Sequence, residues 1–148
     1  MKRISQSKNQ TQKLAKQMAQ KVIQQKTQKA VLIGLSGELG GGKTTFVQGF
    51  AKALGIKKKV TSPTFVLMKC LQLSIPSFAF LIHLDAYRIK KSKEILDLGW
   101  RKLIKNPQNI ILVEWAEKIK KIFPKKYFWI KFSHLGPHKR LIDISLKK

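Results

Sequence analysis

From residue 37 to residue 45 the chain reads GELGGGKTT. Gly37, four residues, Gly42, Lys43 and Thr44 satisfy the spacing G-x-x-x-x-G-K-[ST]. Each residue type answers a need of phosphate binding. Backbone N–H groups converge on phosphate oxygens only where side chains stay clear, so glycines dominate. A helix that begins at the lysine adds unpaired donors and partial positive charge. Lys43 can reach the β- and γ-phosphates, and the Thr44 hydroxyl can ligate Mg2+. Thr45 is placed for the α-phosphate. The run Glu38, Leu39, Gly40, Gly41, Gly42, Lys43, Thr44 and Thr45 is therefore the candidate nucleotide cradle, with Lys43 its catalytic cation.

A loop that grips phosphate does not by itself hydrolyse it. Mg2+ needs a second anchor, and an attacking water needs positioning. The chain has only seven acids, so the place of each is informative. Asp85 ends the apolar run FAFLIHLD, and Glu114 ends NIILVE. Carboxylates at the C-terminal ends of parallel strands face the crevice where α/β sheets bind ligands. Asp85 and Glu114 are thus expected to join Thr44 in holding the metal, with Glu114 also catalytic. No N-K-x-D-like segment is present to read guanine, which favours ATP over GTP. The segment TSPTF (61–65) reads either as a switch-like loop sensing the γ-phosphate through Thr64 or as a structural turn.

The elements around these residues follow from their periodicity. AVLIGLSG (30–37) is a short apolar run ending in glycine, as in a buried strand. After Lys43, Phe46, Phe50 and Leu54 form one stripe with Val47 and Ala51 beside it, and Gly55 supplies a stop. The loop therefore lies between a strand and a helix. Residues 65–84 read as two strands joined by a turn and not as a membrane span, because Lys69, Gln72, His83 and a proline interrupt them. SKEILDLGW reads as a short helix with Ser92 as N-cap, and NIILVEWAEKIKKIF as a strand followed by a short basic helix. The tail predicts a hairpin around HLGPH. Near the N-terminus, Leu14, Met18 and Val22, flanked by Ala15, Ala19 and Ile23, predict a helix over 11–29, with 1–10 loosely ordered. The lysine-rich, acid-free composition there also overlaps with organelle transit peptides, although the apolar stripe favours an ordinary helix. The expectation is one α/β P-loop NTPase domain over 1–148, its sheet mostly parallel near the loop and antiparallel at the C-terminal end, with helices on its faces.

Composition bounds the partners. Thirty-one Lys and Arg face 7 Asp and Glu, a formal net charge of +24. Such a field attracts polyanions such as tRNA. Compositional drift toward lysine gives the same count, since only Arg3, Arg88, Arg101 and Arg140 are arginines. Cys70 is the one cysteine, so no internal disulfide forms, which fits a reducing, cytoplasmic setting. Its run FVLMKCLQL places it in a strand or core, not in catalysis.

The motifs together resemble one family. GELGGGKTTFVQGFAKALGI, VTSPTFVL, HLDAYRI, EILDLGW and LVEWAEKI, in this order, resemble TsaE, the small P-loop ATPase of bacterial tRNA threonylcarbamoyladenosine synthesis. The resemblance spans roughly residues 11–146. It implies ATP and Mg2+ as cofactors and the TsaB–TsaD pair as partner, with hydrolysis resetting that complex for further turnovers. It matches Lys43 and Thr44 to the family's phosphate and magnesium residues, Asp85 to a metal-associated aspartate and Glu114 to an acid needed for hydrolysis. It also matches Trp115 to a tryptophan near the nucleotide, and Thr64 to a switch-like threonine. Ala116 stands where the family has proline, and Glu38 and Gly41 where it has Asp and Ala. Two rivals stand beside it. A small-molecule kinase would need lid arginines that this chain scarcely has. A basic RNA-binding module with a vestigial nucleotide site would leave the intact Lys43 and Thr44 unexplained.

Overall fold

The computed structural model describes residues 1–38, 40, 42–61 and 67–148. Its centre is the strand β2 (Val31–Gly37), preceded in the chain by β1 (Lys2–Ser5) and the helix α1 (Lys8–Ile23). The helix α2 (Lys43–Ala53) follows β2. Then come β3 (Met68–Gln72), β4 (Phe80–Asp85), α3 (Lys93–Leu96), α4 (Trp100–Lys105), β5 (Asn109–Glu114), β6 (Tyr127–His134) and β7 (Arg140–Lys147). The seven strands form one sheet in the order β1-β7-β6-β2-β5-β4-β3. Pairings β6–β2, β2–β5 and β5–β4 are parallel, and β1–β7, β7–β6 and β3–β4 are antiparallel. The expected mixed α/β sheet is thus present, and it carries an antiparallel strand at its β3 edge as well.

Central strands covered on both faces must be apolar throughout, and β5 is buried at every position. On one face α1 and α2 bury Leu14, Met18, Phe46 and Phe50 against Ile33, Leu35, Leu112 and Phe132. On the other, α3, α4 and two 3-10 turns (Ala116–Lys118 and Lys120–Ile122) bury Trp100, Ile95 and Ile119 against Ile82, Ile111 and Val113. Each fully buried Phe or Leu contributes roughly 1.5–3 kcal/mol over its exposed state.

Helix ends follow local chemistry. The Ser7 side chain accepts from Gln10 N–H at 3.1 Å and starts α1 at Lys8. The expected span 11–29 is therefore corrected to 8–23: the cap lies earlier, and residues 24–29 have no apolar residue to continue the stripe. Gly55, in the left-handed region at φ 88°, ends α2 as expected. There Gly55 N–H bonds Lys52 O at 3.0 Å and Ile56 N–H bonds Ala51 O at 3.1 Å, a Schellman pair. Ser92 occupies the N-cap position of α3, but its side chain makes no cap bond. Glu94 takes the N–H groups of Lys90 and Lys91 at 2.8 and 3.0 Å instead.

Other expectations also change. Residues 2–5 are not loose, because they pair antiparallel with Arg140–Asp143 of β7. The basic helix after Glu114 is two 3-10 turns, parted at Ile119, whose φ of −126° leaves helical geometry. Cys70 lies in a strand as expected but is exposed, because β3 is an edge with β4 as its partner. The hairpin around 135–139 forms, closed by Leu135 N–H to Lys139 O at 3.0 Å.

Candidate functional site

The end of β2 delivers the backbone to the phosphate loop. At Gly37 (φ 132°) a Cβ would stand 2.2 Å from Phe132 O on β6, so no larger residue fits where the strand meets its neighbour. Its N–H bonds Glu117 Oε2 at 3.2 Å. Gly42, also left-handed (φ 100°), turns the chain into α2, whose first residue is Lys43. The helix N-terminus therefore opens toward the loop, with first-turn N–H groups that have no acceptor within the helix.

Lys43 is buried, at 4% exposure. Its Nζ donates to Gly37 O at 2.6 Å and Glu38 O at 2.9 Å, and lies 4.1 Å from the centre of the Trp115 ring. Burial pushes its amine below the ordinary lysine value. The nearby carboxylates of Glu117, Glu114, Asp85 and Glu38 oppose that shift. The Thr44 hydroxyl donates to Glu114 Oε1 at 2.9 Å. Glu114 is itself buried, at 2% exposure, and its Oε2 lies 2.6 Å from His83 Nε2. Parallel pairing sets Asp85 beside Glu114 at the C-terminal ends of β4 and β5. Asp85 Oδ1 accepts from Tyr87 N–H at 2.9 Å. Burial raises the Asp85 carboxyl above its ordinary value and the Glu114 charge adds to this, while the Tyr87 bond works against it. Trp115 rests on Tyr87 with ring centres 5.0 Å apart, and Lys118 Nζ donates to Tyr87 O.

Lys43, Thr44, Thr45, Asp85, Glu114 and Trp115 line one cleft of about 610 Å³ together with Gly40 and Gly42, a size within the range of small-ligand sites. The predicted residues Leu39, Gly41 and Thr64 lie outside the described residues. The cleft's far wall comes from places where no site residue was expected. Ser5, Gln6, Ser7, Lys8 and Thr11 form one side of it. The β6–β7 turn adds Pro137 and His138, with Arg140 just beyond it on β7. Arg140 Nε bonds Gly40 O at 3.2 Å and so ties β7 to the phosphate loop. His83 and Glu117 were also missed. The signal for Glu117 was its place as one of seven acids; that for His83 was parity, since residues 83 and 85 share one face of a strand.

A hydroxyl and two neighbouring carboxylates suit Mg2+, which keeps several waters and binds through one or two carboxylates plus phosphate oxygens. The raised Asp85 carboxyl fits this, because its burial, and after it the neighbouring Glu114 charge, disfavour the ionised form that a cation would stabilise. Among the described residues no group of three or more His, Cys, Asp or Glu forms a closed metal cage.

A family model for "Threonylcarbamoyl adenosine biosynthesis protein TsaE" matches residues 5–142. The chain belongs to the TsaE family. A Bacillus subtilis relative, named tRNA threonylcarbamoyladenosine biosynthesis protein TsaE, is 37% identical over 114 residues, covering 77% of this chain and 68% of the relative. A Rickettsia conorii protein of the same name is 36% identical over 139 residues, covering 93% of this chain and 74% of its own. The crystal structure of Bacillus subtilis YdiB superposes with a TM-score of 0.77 at 28% identity, over 99% of this chain and 84% of that one. The TsaE match begins at Ser5, so it includes the wall that β1 and α1 give the cleft. Among the described residues no helix is long and apolar enough to cross a membrane.

Proposed function

We propose that this protein binds and hydrolyses ATP with Mg2+ in the cleft at the head of α2. In this reading the hydrolysis supports turnover of a TsaB–TsaD complex making threonylcarbamoyladenosine in tRNA, in the cytoplasm. The observation that carries the reading is the convergence of Lys43, Thr44, Asp85 and Glu114 in one cleft at the C-terminal ends of β2, β4 and β5, in a chain of this family.

The residues divide the work by chemistry. The backbone N–H groups at the head of α2 and the Lys43 ammonium bind the phosphates. Thr44, Asp85 and Glu114 would hold Mg2+. When bound, Mg2+ neutralises charge developing on the phosphoryl oxygens. Glu114, anchored at both oxygens, keeps a fixed acceptor near the loop and orients water. Trp115 covers the Lys43 side of the cleft and limits solvent there. The wall built from Ser5 to Thr11 and from Pro137 to Arg140 receives the nucleoside end, because the phosphate end is fixed by the helix.

The test is a reconstitution from TsaB–TsaD, the threonylcarbamoyl-adenylate donor, unmodified tRNA and ATP. Multiple-turnover product is read by nucleoside mass spectrometry. Wild-type protein is expected to sustain turnover, and Lys43→Ala to stop after the first cycle. Equal yields with both proteins would sink the reading.

A further inference from the structure

The proposed function uses Glu114 but leaves unexplained the histidine buried against it. His83 is 0% exposed and sits in the middle of β4, two residues before Asp85. Alternation along the strand puts both on the sheet face covered by α1 and α2. A polar ring fully buried in an apolar strand is unfavourable unless a partner compensates it. Its Nε2 has such a partner, Glu114 Oε2, at 2.6 Å. Its Nδ1 is buried with no hydrogen-bond partner among the described residues.

These facts fix the direction of the bond. An ionised carboxylate only accepts hydrogen bonds. As a carboxylate, Glu114 accepts from Thr44 through Oε1 and from His83 Nε2–H through Oε2. A hydrogen on Nδ1 would be a buried donor without an acceptor, which costs more than an unused lone pair. The arrangement therefore selects the tautomer with its hydrogen on Nε2.

The orientation passes on to the cleft. With Oε2 held by His83, the Glu114 carboxylate cannot turn, and Oε1 stays aimed at Thr44. The threonine hydroxyl has one hydrogen and two lone pairs. Its bond to Oε1 sets how the hydroxyl is turned at the cleft that Thr44 lines. We propose that His83 is a positioning residue: from β4 it locks the Glu114 carboxylate, and through it the Thr44 hydroxyl, in the orientation that accepts the nucleotide's magnesium ion. This rests on the nucleotide reading above, and it names a residue that would never touch nucleotide or metal.

The experiment compares wild type, His83→Leu, which removes the donor, and His83→Gln, whose amide can donate from nearly the same position. Binding of a fluorescent ADP is measured in EDTA and across a Mg2+ titration, and each protein is melted without nucleotide. Partners that orient metal ligands typically alter metal affinity by roughly 10–100-fold. His83→Leu is expected to bind the nucleotide as wild type does in EDTA but to need that much more Mg2+ for half-effect. His83→Gln should return most of the loss. A His83→Leu protein with the wild-type Mg2+ requirement, or a His83→Gln protein as defective as His83→Leu, overturns the proposal. A wild type whose nucleotide affinity ignores Mg2+ overturns the nucleotide reading itself, and this one with it. If His83→Leu fails to fold, nitrogen-15 spectra of the wild-type imidazole decide. A slowly exchanging hydrogen on Nε2 whose signal moves in Glu114→Gln supports the role, and a hydrogen on Nδ1 refutes it.

Discussion

Asp85 is held in the fold against its own preference. Burial and the Glu114 charge raise its carboxyl above the ordinary value. As pH rises, the unfolded chain releases this proton first. Between the ordinary value and the raised native one the folded state binds more protons, so this group's contribution to stability falls with rising pH. Above that window the full penalty of an ionised, half-buried carboxylate remains. Asp85→Asn keeps an acceptor for Tyr87 N–H and removes the charge. It is expected to melt higher than wild type at neutral pH in EDTA, with the gain vanishing in acid where both side chains are uncharged. A lower melting temperature at neutral pH would show that the charge stabilises the fold, contrary to this reading. The same substitution should weaken Mg2+-dependent nucleotide binding, a stability–function conflict typical of ligand sites. The acids in this account were legible because each ends an apolar run, a local signal. His83 and Glu117 were not, because their roles depend on which strands become neighbours.

Packing between elements decides where local propensity does not. Gly49 lies inside α2, where alanine is normally favoured over glycine by about 1 kcal/mol. Here a Cβ would stand 2.7 Å from Gln12 Cα on α1. That atom is backbone and cannot rotate away. Overpacking of this kind destabilises by roughly 1–3 kcal/mol, so the clash outweighs the propensity. Gly49→Ala is expected to lower stability in urea unfolding, and a more stable variant would mean the two helices separate freely. The contact matters for the site because α1 carries Lys8 and Thr11 of the cleft wall and α2 carries Lys43. The strand Val31–Gly37 and the helix Lys43–Ala53 could be read directly, since each is marked by its own pattern. β1 could not: KRIS is four residues with three exposed, and it becomes a strand only by pairing with β7 more than 130 positions later. Cys70 lies in a strand, one of its two expected places, but its exposure was not legible, as nothing in MKCLQ reveals that the strand is an edge.

Charge is distributed unevenly over the whole molecule. Of the seven acids, Glu38, Asp85, Glu114 and Glu117 all act on Lys43. The negative charge is thus concentrated around Lys43 in a chain whose formal net is +24. Self-repulsion of that size opposes the compact state and is screened by salt over about a Debye length, ~10 Å at 0.1 M. The melting temperature is therefore expected to rise from low to moderate sodium chloride, measured without nucleotide. A flat or falling dependence would mean that the lysines are too well solvated and separated to repel. A field of this sign attracts polyanions in general, and such attraction weakens as salt rises.

The ammonium resting on Trp115 also makes the site optically visible. The Lys43 Nζ lies 4.1 Å from that indole, whereas Trp100 and Trp129 pack around Phe123 and do not line the cleft. A phosphate that draws the amine off its carbonyl partners changes the field across one indole of three. Tryptophan emission should then shift on adding ADP. Trp115→Phe should abolish the shift, while Trp129→Phe should leave it. The unlabelled protein would report its own occupancy in real time.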